Sequence, residues 1–194
     1  MNWNGHASED KFVHHLLVKN DPDFKGTYIE LGTNDPIQSN NTYVFEKLGW
    51  YGVTVNNNYD GRMRFYAERA NKVFICDINK VNWTNVTNDP KLSSVDYFSF
   101  DASGNLISIF DGVPWNILKP KIITLKHDTY VLGTEFRNHA RKTLIGLGYD
   151  LVCNDIVCSG YGNFEDWYVL PEFFDSEVIN KIRCGGRVST NINL

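Results

Sequence analysis

The sequence predicts an α/β domain on a mostly parallel sheet, with an antiparallel hairpin at its C-terminal edge and helices on both faces. Three observations predict it. Short apolar runs alternate with helix-compatible stretches from about residue 27 onward. The first run, Thr27-Tyr28-Ile29-Glu30-Leu31, ends in the Gly-bearing turn Gly32-Thr33-Asn34-Asp35-Pro36. The last two runs are joined by Ser159-Gly160-Tyr161-Gly162-Asn163, a spacing that suits a hairpin.

Each element has its own signal. Residues 8–19 form an amphipathic helix with Ser8 at its N-cap and Phe12, Val13, Leu16 and Leu17 on one face, and Asp21-Pro22 stops it. Strands follow at about 27–31, 52–56, 73–76, 96–100 and 121–126, each bounded by turn residues. The stretch from Asn40 to Trp50 reads as the first helix of the α/β body. Residues 133–147 read as a later one, with Phe136, Ala140, Leu144 and Leu147 on one face and Gly148 as its stop. Residues 149–157 and 165–169 are the hairpin strands. There is no internal repeat and no linker, so 1–194 is expected to be one domain: N-terminal helix, body over about 26–175, and a basic tail over about 182–194.

With 194 residues and five Trp, ten Tyr and twelve Phe, the chain is long and apolar enough for a substantial core. A net charge of -4 argues against a dedicated nucleic-acid binder, since such binding relies on Lys and Arg at phosphates. No run approaches the roughly 20 apolar residues of a membrane span, and Met1 to His6 lacks the layout of a signal peptide. The expectation is a cytoplasmic protein without membrane or nucleic-acid partners. Its cysteines, Cys76, Cys153, Cys158 and Cys184, then read as buried thiols. The sequons beginning at Asn40, Asn82 and Asn85 read as chance matches in an Asn-rich chain.

In an open parallel sheet the ligand site lies outside the carboxyl ends of the strands, where strand order switches. The residues at those ends are Glu30 to Asp35, Asn56 to Asn58, Asp77, Asp101, and Lys126-His127-Asp128. Such polarity suits a polar cofactor, although loops begin there in any fold.

Six segments carry a family resemblance. They are Ser8-Glu9-Asp10-Lys11-Phe12; Glu30 to Pro36; Asn40-Asn41-Thr42-Tyr43 with Glu46-Lys47-Leu48-Gly49-Trp50; Val95-Asp96-Tyr97-Phe98-Ser99-Phe100-Asp101; Lys126-His127-Asp128; and Phe164-Glu165-Asp166-Trp167. In order and over about residues 8–175, they resemble the FkbM-type methyltransferases. That resemblance implies the class I, Rossmann-like fold with a seven-stranded sheet, S-adenosylmethionine as cofactor, and a hydroxyl of a sugar or other small metabolite as acceptor.

The resemblance also implies roles. Glu30, Gly32, Thr33, Asn34 and Asp35 would cradle the methionine part of the cofactor, Asp77 would stand near the adenine, and Asn56 would face the ribose. Relatives carry an acid at the position of Asn56, at that of Ser103 and at that of Lys126, so three acids are replaced here. Lys126 is expected to pair with Asp101 across neighbouring strand ends and to argue against a dication there, leaving no metal in the assignment. His127 is the candidate base, with Asp101 or Asp128 to orient it; the alternative is a structural histidine. His6, His14, His15 and His139 read as solvated. Phe164 and Trp167, with Lys126, would line the acceptor pocket, or else the aromatic pair belongs to the core. Three classes stay open: an active methyltransferase, a weakened relative that binds a ligand or partner, and an unrelated nucleotide-binding enzyme. The last lacks a Gly-x-Gly-x-x-Gly fingerprint here.

Overall fold

The computed structural model describes residues 2–157 and 162–185. Its sheet has eight strands: β1 (Thr27–Leu31), β2 (Tyr51–Asn56), β3 (Lys72–Ile75), β4 (Tyr97–Phe100), β5 (Ile122–Lys126), β6 (Asp150–Val157), β7 (Asn163–Val169) and β8 (Cys184–Gly185). They lie in the order β3-β2-β1-β4-β5-β7-β6-β8. Strands β1 to β5 pair in parallel, β7 runs antiparallel between β5 and β6, and the two-residue β8 adds in parallel to β6. The expected seven strands are therefore present, with β8 as an eighth. Strand order reverses between β1 and β4.

Side chains on a strand alternate between faces, and here both faces are buried. Ile29, Leu31, Phe98, Phe100, Ile123 and Leu125 enter one core, whereas Tyr28, Tyr97 and Ile122 enter the other. The first core is closed by helices α5 (Leu106–Gly112) and α8 (Glu135–Gly146), through Ile109, Phe110, Phe136, Ala140 and Leu144. The second is closed by α1 (Glu9–Leu17), α2 (Tyr43–Lys47) and α9 (Ser176–Ile182), through Phe12, Val13, Val44, Phe45, Ile179 and Ile182. Apolar runs with no polar face in the sequence are thus strands covered on both sides.

Two local expectations change. Ser8 makes no side-chain cap and instead takes φ 72°, turning the chain sharply into α1. The helix expected over 133–147 is preceded by a separate turn, Thr129–Leu132, because Gly133 at φ 76° interrupts the path before Glu135. Gly148, at φ 93°, ends α8 as expected. Cys158, Arg187 and much of the expected hairpin loop lie outside the described residues. Among the described residues no helix is long and apolar enough to cross a membrane.

Candidate active site

The carboxyl ends of β1, β4 and β5 open onto a cleft of about 410 Å³, within the size range of small-molecule sites. Its walls carry Asn34, Asp35, Gln38 and Ser39 from the loop after β1, and Asp101 from the end of β4. Lys126 ends β5 and Asp128 follows it, with Tyr130, Phe164 and His6 around the rim. It lies at the switch in strand order, where an open α/β sheet leaves room for a ligand.

The loop after β1 is held from beneath. Asn40 is fully buried; its Nδ2 donates to Glu30, Thr33 and the Asp35 carbonyl, and its Oδ1 accepts from the Thr42 and Tyr43 amides that start α2. Arg69, also buried, donates to Glu46 at 3.0 Å, Tyr28 at 2.8 Å and Thr42 at 2.9 Å, and reaches Glu30 at 3.3 Å. Burial raises the Glu30 carboxyl, and Arg69 opposes that rise. Glu30 Oε2 is therefore engaged in the loop's support, and Glu30 is not among the residues that line the cleft. Sequence reasoning missed Arg69, because its partners are scattered from residue 28 to residue 46.

Gly32 takes φ 99°, and a Cβ on it would lie 2.5 Å from the Asp101 carbonyl and the Ala102 Cα. The glycine permits the loops after β1 and β4 to touch. Thr33 is buried and donates to the Asp35 carbonyl. Asp35 accepts from the Ile37 and Gln38 amides and pairs with Arg64, and Asn58 donates to the Asn34 carbonyl at 2.9 Å. The last two contacts clasp the loop after β1 to the segment after β2.

Asn56 is fully buried at the end of β2. Its Oδ1 accepts from the Asn58 amide at 2.9 Å, while its Nδ2 has no partner among the described residues. Asp77 stands apart from the cleft: it caps the short turn Ile78–Lys80 by accepting from Asn79 and lies 3.5 Å from Lys80. Those contacts hold its carboxyl below the usual range.

The expected pair at the strand ends is present. Lys126 Nζ lies 2.8 Å from Asp101 and 3.7 Å from Asp128, with about a fifth to a quarter of each side chain exposed. Burial raises the Asp101 carboxyl and Lys126 opposes it. The Lys126 ammonium is raised, because attraction from Asp101, Asp128 and Glu165 outweighs its partial burial. Ser103 is exposed just beyond.

His127 does not reach the cleft. Its side chain is wholly buried; Nδ1 accepts from the Thr129 amide at 3.2 Å, which leaves the ring proton on Nε2, 3.5 Å from Asp166. That carboxylate takes two 2.7 Å bonds from Arg141 and one from the Asp155 amide, so it is held well below the usual range. His127, Asp155 and Asp166 are close enough to share a cation, but Arg137 and Arg141 already supply the positive charge, at 2.8 Å and 2.7 Å. The base role expected for His127 is thus corrected to a structural one.

Trp167 is likewise corrected: it is fully buried and packs on Phe12, ring centroids 4.6 Å apart. Phe164 does line the cleft. His6, read from sequence as solvated, stands at the rim with its ring edge-to-face on Phe164 at 5.4 Å. Nothing in the sequence places a residue so far from the strand ends beside them.

This sheet order with its C-terminal hairpin is the class I, Rossmann-like methyltransferase fold. No family model and no curated protein matches the sequence. Solved structures share the fold at low identity. A DUF574 family protein from Streptomyces avermitilis matches with TM-score 0.53 and 13% identity over 84% of this chain and 81% of that one. A human methyltransferase 10 domain containing protein matches with 0.52 and 11% over 88% and 82%. An rRNA methylase from Streptococcus thermophilus matches with 0.50 and 8% over 82% and 92%. That last likeness overturns the exclusion of nucleic acid drawn from net charge, because the same fold serves a methylase of rRNA.

Proposed function

We propose that this chain is an S-adenosylmethionine-dependent methyltransferase of the FkbM type, acting on a hydroxyl of a carbohydrate or small metabolite. The observation that carries the reading is the cleft at the β1/β4 switch point of a methyltransferase sheet. The residue that best suits the cofactor is Asn56, whose buried Nδ2 is a donor without a partner among the described residues that a ribose hydroxyl would satisfy. The carboxylates of Asp35 and Asp101 line the cleft but are paired with Arg64 and Lys126.

When bound, S-adenosylmethionine supplies a methyl group on a sulfonium, already activated for in-line displacement. The chain's part is then positioning, which alone can account for much of the rate. Phe164 and Tyr130 offer faces for a sugar ring or other flat acceptor, and Lys126 keeps Asp101 and Asp128 in place beside it.

A second reading is a weakened relative that binds a ligand without turnover. It is supported by the Lys126–Asp101 pair, which neutralises the acid nearest the proposed transfer point. Isothermal calorimetry with S-adenosylmethionine and S-adenosylhomocysteine tests both readings. Binding of either supports a cofactor site, and methyl release to an acceptor then decides between them. No heat with either ligand would remove both.

A further inference from the structure

The cleft needs a group that can take the acceptor's proton, and both His127, the residue expected to serve, and Asp101, one of the two expected to orient it, are engaged elsewhere. His127 is sealed in the protein, and Asp101 is bound by Lys126. His6 is what the chain brings to the rim in their place.

The segment carrying His6 is built to stay there. Asp10 accepts from the Asn4 amide at 2.6 Å and the Gly5 amide at 2.9 Å, and Glu9 accepts from the Ala7 amide at 2.7 Å. Both carboxylates sit in the first turn of α1 and are buried, so the amides on either side of His6 are pinned to the body of the domain. A Cβ on Gly5 would lie 2.7 Å from Glu9 and 2.8 Å from Asp10, and the glycine permits that approach. Ser8 at φ 72° then turns the strap into the helix. Phe164, whose ring packs on His6, also accepts the His127 and Asp128 amides on its carbonyl and so ties the rim to the end of β5.

We infer that His6 is the general base of the cleft, positioned by the Asn4–Ala7 strap to accept the proton of the acceptor hydroxyl. The inference rests on the methyltransferase reading. In the balanced step the acceptor O–H proton passes to an imidazole nitrogen, the O–CH3 bond forms as the S–CH3 bond breaks, and the sulfonium becomes a neutral thioether. The imidazolium, exposed at the rim, returns its proton to water. Among the described residues, Lys126 and Asp128 act on His6 electrostatically, and Asp101 and Asp35 line the same cleft. Partial burial and the Lys126 charge together lower its pKa, with Asp128 opposing them, which favours the neutral imidazole a base requires.

Three measurements on the full chain test this. S-adenosylhomocysteine should bind wild type and His6→Gln alike in calorimetry; no binding to wild type removes the methyltransferase reading and this inference with it. Where binding holds, NMR titration of the His6 imidazole should give a midpoint below 6.5 that rises in Lys126→Met and falls in Asp128→Asn. A midpoint at the ordinary value, indifferent to both changes, overturns the His6 inference while the cofactor site stands. With methyl-labelled S-adenosylmethionine and a panel of free monosaccharides, His6→Ala should lose about 100-fold in kcat, with KM for the cofactor little changed and partial rescue by added imidazole. Turnover equal to wild type in His6→Ala overturns it as well.

Discussion

Arg69 is the side chain on which the loop after β1 depends, since it faces two carboxylates, Glu30 and Glu46, with its own side chain fully enclosed. Removing it leaves both acids without their cation, so Arg69→Met should destabilise the fold by about 3–5 kcal/mol in urea denaturation. Gly32 belongs to the same region but acts through backbone contact. Gly32→Val meets the Asp101–Ala102 backbone and a positive φ at once, and should lower the melting temperature by several degrees rather than merely reduce cofactor affinity. Asn56 offers the opposite test. Asn56→Asp keeps an acceptor for the Asn58 amide and adds charge at the proposed ribose contact, so S-adenosylmethionine should bind tighter by about 1–2 kcal/mol in calorimetry. At this scale the sequence was informative where chemistry depends on strand ends: Asp101, Lys126 and Asp128 do meet. It was misleading at Glu30, His127 and Trp167, because an alternating strand sends neighbouring residues to opposite faces, and the residue string does not say which face holds the ligand.

Between elements, the carboxyls of Glu9 on α1 and Glu165 on β7 interact with each other out of contact with water. Burial pushes Glu9 up to about 7, and burial with the neighbouring Glu9 raises Glu165 well above its usual range. The folded chain therefore holds a proton that the unfolded chain releases as pH rises above 4.5, and the free energy of unfolding should fall between pH 4.5 and about 7. Glu165→Gln supplies a permanent donor to Glu9 and should flatten that slope; denaturation across the pH series reads it. The element boundaries themselves were mostly legible. Strands β1 to β5 fall within a residue or two of their expected ends because short apolar runs bounded by turns can be little else. The break at Gly133 and the left-handed turn at Ser8 were not legible, since both depend on where the chain must go next rather than on local preference.

For the whole molecule, the α/β alternation and terminal hairpin suffice to predict a mostly parallel sheet with an antiparallel edge, the methyltransferase fold being what the family resemblance implies, and the structure has that strand order. The N-terminal strap is the part that no pattern foretold: its position beside the ends of β4 and β5 follows from Asp10 and Glu9 capturing its amides. Net charge does not exclude nucleic acid for this fold, because a solved structure that shares it is an rRNA methylase. Backbone amide shifts on titration with S-adenosylhomocysteine test whether the cofactor occupies the cleft at the β1/β4 switch. With the cofactor there, the largest changes fall at residues 32–39, 56–58 and 101–103, with His6 responding at the rim. Changes concentrated instead around Tyr66, Phe74, Cys76 and Val81, which line a separate pocket at the β3 edge, would contradict it.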